Sequence, residues 1–545
     1  MRATAAIGGT HVKAYAGTSG VLLAWNVEPD RRQGLLGFAI ERKVGDRAAE
    51  WLMGSLDFEG ATPVAGSSFP SNQRPFQRFR WSDYRVHPDT AYTYTVHPVY
   101  GTPDQPKVEP GPEVRVRSAA DRGGRHTILF NRAAAASQAF SKKFPEVERE
   151  LDAARRERRE PELPPAALEW LSRGVLEQIL AFIARADGPD WGLDIAIYEY
   201  EHPDIAAAVA AAHNRGAKVR VIYHAKVGDE QTAVNEKQLA ALPGEVKRGR
   251  VTSRIFHHKY AVLADGQGQP VAVLCGSTNF THNGVYRQAN VVHVIEDSAV
   301  ATAFSGLFEL LWSGADRAQT RRFVNEANPM ELTGPLFVGF SPRSGLKDLD
   351  GFSALIRHAS RDVLFCTAFR LYTGLEEALL GQPRDPILRI GVQNTRSKLT
   401  GFHRDITASF TAAAMLSTGL EGFLKETTAG QRGNILIHTK LVVIDFTSDR
   451  PIVISGSHNL SRSASEGNDE NFLIMRGDPD IADCYGVELM RIYDHYRFRW
   501  ASKHPGAAPR LIRDDSWANR YFVPDTLPWR DRRLFAGGNA RETAG

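Results

Sequence analysis

Two segments of the chain hold the residues best equipped for chemistry. The first reads FHHKYAVLADGQGQPVAVLCGSTNFT and the second IHTKLVVIDFTSDRPIVISGSHNLS. Both start in strand-like runs, where residues i and i+2 share a face. His257 then projects with Lys259, and His438 with Lys440. Beyond each glycine, Ser277 pairs with Asn279 and Ser457 with Asn459 in the same way. Each segment therefore aims an imidazole, an ammonium, a hydroxyl and an amide at one spot. Those groups suit the cleavage of a phosphodiester. One imidazole can attack phosphorus, and a second can protonate the departing oxygen. Lysines, hydroxyls and amides can hold the phosphoryl oxygens by preorganised electrostatics. None of the usual metal-ligand spacings occurs, and the chemistry requires no metal or other cofactor.

The elements around these segments come in two passes. In the first, an apolar helix (RGVLEQILAFIARA) leads to a strand (LDIAIYEY), a helix (HPDIAAAVAAAHNRGA) and a strand (KVRVIYHA). The second runs from a helix (GFSALIRHAS) to a strand (RDVLFCTAF), a shorter helix (TGLEEALLGQ) and a strand (PILRIGV). Proline near a helix start and glycine just past its end mark boundaries. Strands alternating with helices predict a largely parallel sheet with helices on its faces. Each pass precedes one motif, which predicts an internal duplication of one α/β unit.

The two segments resemble the paired HKD motifs of the phospholipase D superfamily, over roughly residues 120 to 500. The resemblance implies two similar α/β/α lobes around a pseudo-twofold axis, with both histidines at the junction. It implies a two-step reaction through a phosphohistidine, ending in hydrolysis or transfer to another alcohol. It also makes Asp265 and Asp445 the acidic members of the motifs. Here the halves differ. Four residues separate Lys440 from Asp445 and five separate Lys259 from Asp265, which predicts a bulge between Lys259 and Asp265. His258 falls on the opposite strand face and lacks a paired lysine. The tails differ too. Aligning Asn471 with Asn290 sets Glu470 against Ala289, with Gln288 beside it. In the family, a carboxylate here bonds the histidine of the opposite half. Glu470 would then orient His257 as a carboxylate orients a triad histidine. His257 becomes the nucleophile and His438 the general acid/base.

Before the α/β passes, residues 1–118 show short alternating runs: VLLAWNV, GFAIERKV, AYTYTVHPVYG and a closing EVRVRS. Such runs, with Gly/Pro punctuation, predict an all-β sandwich, and the block resembles a fibronectin type III domain. The organisation is then a β-sandwich (1–118), a first lobe (119–332), a second lobe (333–510) and a loop-rich extension (511–545) ending in a disordered GGNARETAG tail. The helix YGVELMRIYDHYRFRW packs on the second sheet, or else places His495 and Arg497 at the substrate entrance.

Composition sets the remaining bounds. The chain has 545 residues and a formal net charge of +4, too weakly basic to name nucleic acid as the partner. Cys275, Cys366 and Cys484 suggest no disulfide framework. No signal-like N-terminus and no run of about 18–20 apolar residues occurs. A cytoplasmic enzyme without a transmembrane segment is expected, with peripheral membrane contact as an option and no oligomer required for catalysis. The substrate stays open between phospholipid, with phosphatidylcholine-type headgroup release, and DNA or RNA cut by an endonuclease. RGRVTSR and ARRERRE could track a nucleic-acid backbone. A non-catalytic binding scaffold is the third reading.

Overall fold

The computed structural model describes residues 1–61, 67–132, 140, 143–157, 159, 161–381, 385–394, 408–412, 437–502 and 510–538. The predicted GGNARETAG tail lies, from Asn539 on, outside the described residues.

Two seven-stranded sheets dominate. The first runs, in spatial order, His126–Phe130, Val291–Ile295, Pro270–Gly276, Lys259–Ala264, Gly192–Ile197, Lys218–His224 and Lys247–Arg250. The second runs Leu336–Ser341, Glu470–Arg476, Ile452–Gly456, Leu441–Ile444, Asp362–Thr367, Leu388–Gln393 and Ala408–Ala412. Strand for strand, the two orders are the same. The expectation of a largely parallel sheet is corrected. Only the pairings on one side of Gly192–Ile197 and of Asp362–Thr367 are parallel. The remaining pairings in both sheets are antiparallel. The reason is connectivity. Helical crossovers join only the early strands of each pass, whereas each motif strand folds back through a short hairpin.

The helices expected from sequence form at Val175–Ala184, Pro203–Asn214, Lys347–Arg357 and Thr373–Leu380. Pro203 opens its helix at a position where its missing N–H costs nothing. The central strands are buried on both faces, which is why they read as continuous apolar runs rather than alternating ones.

The described part of residues 1–118 forms two larger antiparallel sheets over one core and a short third ladder, in which Met53–Gly54 pairs with Phe69–Pro70. One has the order Arg2–Ile7, Thr10–Ala16, Val21–Val27, Arg80–Asp83. The other centres on Ala91–Thr102, which pairs with Leu35–Val44, Gln105–Val108 and Glu113–Arg117. Tyr92, Tyr94 and Val96 alternate inward with more exposed neighbours, the period-2 pattern of a half-buried strand. Trp25, Phe38 and Phe79 fill this core, joined from the far end of the chain by Trp517. The C-terminal stretch is less loop-like than its composition suggests, with a 3-10 helix at Asp515–Tyr521 and an α-helix at Leu527–Phe535.

The helix Pro479–Ser502 contacts strands of both seven-stranded sheets and the strand Thr10–Ala16. Its Arg491 and Arg173 of the first half converge on the buried Glu488. Arg497 donates to Tyr493 Oη at 3.3 Å and lies near Arg80 and Asp531, on the side of the N-terminal sheets. Among the described residues, no helix is long and apolar enough to cross a membrane.

Candidate active site

The strands Lys259–Ala264 and Leu441–Ile444 begin side by side at the junction of the two seven-stranded sheets. Each approach to a strand is held by the other half. The His257 N–H donates to the Asp469 carbonyl at 2.9 Å, and the His438 N–H to the Ala289 carbonyl at 3.0 Å. Phe256–Asp469 and Ala289–Ile437 form the matching pair of parallel bridges. This exchange brings the two imidazoles together. Their ring centroids are 6.2 Å apart at 72°. Both rings are buried.

Each histidine has its Nδ1 committed to the opposite half. His257 Nδ1 donates to Glu470 Oε2 at 2.6 Å. Ser457 Oγ donates to the same oxygen at 2.8 Å, and Asn468 Nδ2 to Oε1 at 3.0 Å. Every partner of this carboxylate is thus a donor. His438 Nδ1 lies 3.0 Å from Asn290 Oδ1 and 3.1 Å from the Ser277 carbonyl, so it donates to two neutral acceptors. Asn290 cannot turn its amine toward His438 without loss, because its Nδ2 donates to the Gly284 carbonyl at 2.9 Å. In both rings Nε2 is the atom left for chemistry.

Asn290 is the residue that inspection of the sequence missed, and the alignment proposed above is off by one. Gly276 opposes Val292, and Gly456 opposes Phe472. Counting back from these pairs sets Asn290, not Ala289, against Glu470. Ser277 Oγ donates to Asn290 Oδ1 at 2.8 Å, just as Ser457 Oγ does to Glu470. Matching the letter Asn in both tails displaced the register; the equal distance from Ser277 to Asn290 and from Ser457 to Glu470 was the available signal. The glycines before the serines are required. A Cβ on Gly276 would lie 2.2 Å from the Val291 carbonyl oxygen, and on Gly456 2.4 Å from that of Asn471.

Lys259 and Lys440 are buried, and their Nζ atoms donate to the carbonyls of His257 (2.9 Å) and His438 (2.5 Å). Tyr198 lies under Lys259 and Phe369 under Lys440. Burial pushes Lys259 down to about 8, opposed by the charges of Glu470 and Glu199. Lys440 is held well below its ordinary value by burial and by Lys259. Both histidines are held well below the usual imidazole range, first by burial and then by the two lysines. This depression favours the neutral imidazole in both rings. Asn279 Nδ2 donates to Glu199, a half-buried carboxylate that sequence inspection did not single out. The Oδ1 atoms of Asn279 and Asn459 are both buried without a hydrogen-bond partner among the described residues.

Asp265 and Asp445 are placed elsewhere. Each lies at the far end of its motif strand, on the order of 20 Å from the histidine at ~3.3 Å per residue. Asp265 closes its own turn, accepting from the N–H groups of Gln267 (3.0 Å) and Gln269 (2.9 Å). Asp445 accepts from Ser360 N (2.8 Å), Ser360 Oγ (2.9 Å) and Arg361 N (2.7 Å), which ties the strand end to the neighbouring loop. They are not counterparts. Gly192 pairs with Ala264, and Val363 pairs with Ile444, so Ala264 occupies the place of Asp445. A register shift does fall between Lys259 and Asp265, at Leu263/Ala264, although the residue left unpaired is Val271 of the returning strand, because Leu263 faces Ala272 and Ala264 faces Pro270. His258 packs among Phe256, Tyr260 and Phe340, away from the site, and burial pushes it down to about 3.

Residues 180–312 match the family described as "Cardiolipin synthase, PLD-like domain". Over these residues the chain is similar to a phospholipase D-like domain. This domain holds the first motif, with His257, Lys259, Ser277 and Asn279. Curated relatives of it include the mitochondrial cardiolipin hydrolase of Xenopus tropicalis, 30% identical over 138 residues that make up 25% of this chain and 61% of the relative. The enzyme of the same name from Chlamydomonas reinhardtii is 31% identical over 120 residues, 22% of this chain and 51% of that protein. The chain thus spans between half and two thirds of the length of these two relatives. Among solved structures, the phosphatidylserine synthase of Haemophilus influenzae covers 59% of this chain and 85% of its own, at 13% identity and a TM-score of 0.43.

Proposed function

We propose that the protein is a phosphodiesterase of the phospholipase D type, with the two seven-stranded units as duplicated lobes of one active site. The observation that carries this reading is the pair of buried histidines, 6.2 Å apart, each with Nδ1 held by the opposite half. His257 Nε2 attacks phosphorus. The bond to the leaving oxygen breaks, and His438 Nε2 delivers a proton to that oxygen. His438 then takes a proton from water, which displaces His257 from phosphorus. Glu470 stabilises the positive charge that develops on His257 during attack. Lys259 and Lys440, with Asn279 and Asn459, hold the phosphoryl oxygens. Only the Nδ2 groups of these amides can donate to a phosphoryl oxygen, and that of Asn279 also donates to Glu199. A bound phosphodiester anion raises the proton affinity of His438, which the two lysines otherwise depress.

The substrate proposed is a phospholipid. The phospholipase D-like domain resembles proteins named cardiolipin hydrolase, and the family it matches is named for cardiolipin synthase. The nucleic-acid reading loses a support. Arg250, from the basic run RGRVTSR, is buried and bonds Asp469 at 2.9 Å and Thr320 at 2.9 Å. The ARRERRE run also has a local role, since Arg159 pairs with Glu150 at 2.5 Å; Arg158 and Glu160 of that run lie outside the described residues. We further assign residues 1–118 to a fibronectin type III-like β-sandwich, on the strength of its two antiparallel sheets over a single core.

The test offers the purified chain vesicles of phosphatidylcholine, phosphatidylglycerol or cardiolipin and, separately, single-stranded and plasmid DNA. Release of headgroup alcohol and of a phosphatidate-type product supports the proposal. Strand cleavage without lipid turnover overturns its substrate half. Turnover that persists unchanged in both His257→Ala and His438→Ala overturns its mechanism.

A further inference from the structure

Far from the histidine pair, a groove of about 760 Å³ runs between the N-terminal sheets and the C-terminal segment 510–520. No residue of the catalytic constellation lines it. Its walls are apolar, with Phe76 and Trp81 stacked at 3.8 Å and Trp517, Leu511 and Leu56 beside them. Its polar lining is dominated by four arginines: Arg74, Arg78, Arg510 and Arg520. The one carboxylate in the lining, Asp494, is neutralised by Arg80 at 3.0 Å. Arg74 is paired with Asp57. Arg78 lies over Trp81 at 5.6 Å, and Arg520 over Tyr521 at 4.8 Å. Among the described residues, no carboxylate forms an ion pair with Arg78 or Arg520, and Arg510 lies close enough to Asp57 for its charge to help hold that carboxyl below its ordinary value. The groove is built rather than incidental. Gln77 clamps Ile512 from both sides, donating to its carbonyl at 2.6 Å and accepting from its N–H at 2.7 Å.

We infer that this groove binds an anionic amphiphile, a molecule with a phosphate or carboxylate head and a short apolar body. The volume is that of a small-molecule site. Apolar walls disfavour a fully hydrated inorganic anion. Guanidinium groups without a bonded carboxylate favour a phosphate or carboxylate head, two oxygens of which they can grip in bidentate fashion, and disfavour a neutral lipid. The inference does not depend on the phosphodiesterase reading, because the groove shares no residue with that site.

Octyl phosphate, used as a monomer, is the probe, and the full chain is titrated by calorimetry with tryptophan fluorescence as a second readout. The expected result is saturable binding at least tenfold tighter than that of octanol or of inorganic phosphate. It should weaken at least tenfold in R78E/R520E, whose side chains are solvent-exposed, and stay unchanged in His257→Ala. R78Q/R520Q, which removes charge without reversing it, should show the same direction with a smaller loss. The catalytic site is checked separately, since bis(p-nitrophenyl) phosphate hydrolysis should be the same in R78E/R520E as in the parent. Equal affinity for octanol would show that the arginines read nothing. Equal affinity for inorganic phosphate would reduce the groove to a simple anion site. Binding that is lost in His257→Ala but kept in both arginine variants would move the probe to the catalytic site. Displacement by a single-stranded oligonucleotide would make the groove a nucleic-acid face. Any of these four results overturns the proposal.

Discussion

Glu470→Gln is the substitution that most directly probes the division of labour between the two histidines. Glu470 is fully buried, and His257 donates to it over 2.6 Å. A hydrogen bond to a charged partner contributes about 1.5–3 kcal/mol. At about 1.4 kcal/mol per tenfold in rate, losing the charge slows attack by His257 roughly 10- to 150-fold. A larger loss, toward ~10⁴-fold, follows if the glutamine amine faces Nδ1 and forces the wrong tautomer. Ser457 and Asn468 can still bond a glutamine oxygen, so the fold should survive. The assay is single-turnover quench flow on bis(p-nitrophenyl) phosphate, with acid-stable and acid-labile phosphate separated and the phosphorylated peptide identified. In the parent, a burst of p-nitrophenol should accompany phosphate on His257. In Glu470→Gln the burst should slow with little change in the later hydrolysis step. Asn290→Asp should do the opposite, giving His438 a carboxylate and raising its basicity. A Glu470→Gln burst within twofold of the parent, or a label on His438, would refute the reasoning.

Other expectations rest on different groups. Asp265→Asn should leave both kcat and melting temperature nearly unchanged, because Asp265 only caps an exposed turn. Asp445→Ala should cost about 1–3 kcal/mol in urea titrations while sparing kcat, because it strands the Ser360 and Arg361 donors and leaves alanine at φ 53°. Arg250→Met should destabilise by about 3–5 kcal/mol, since it leaves the buried Asp469 carboxylate uncompensated; a change under 1 kcal/mol would contradict the burial argument. In the pH profile of kcat/KM, the depressed His257 keeps activity from falling near 6.5 on the acid side. Deprotonation of Lys259 near 8 should bring activity down on the alkaline side. Stability moves the other way from activity. Below the unfolded histidine value the unfolded chain binds protons that buried His257 and His438 refuse, so stability should drop as pH falls through about 6.5.

The reactive groups were legible in the sequence because a strand repeats every two residues. That period alone puts His257 with Lys259 and Ser457 with Asn459, whatever the rest of the chain does. The apolar helices and buried strands were legible for a related reason, since local periodicity and Pro/Gly boundaries are written in neighbouring residues. What distinguishes the halves was legible only in part, since Glu470 was singled out but its counterpart was misplaced by one residue. Asn290 and Glu470 are set against each other by cross-strand register, fixed by which residues face Gly276 and Gly456. Sequence spacing cannot reveal a partner strand. The same holds for Asp265, whose letter matches Asp445 but whose place belongs to Ala264. The sheet direction depended on hairpin connections that helix–strand alternation conceals. The carboxylate facing His257 was expected from the family resemblance, but tertiary structure alone identified Asn290 as the neutral partner of His438. That asymmetry arises from contacts spanning 213 and 148 residues, and long-range contacts carry no local signature.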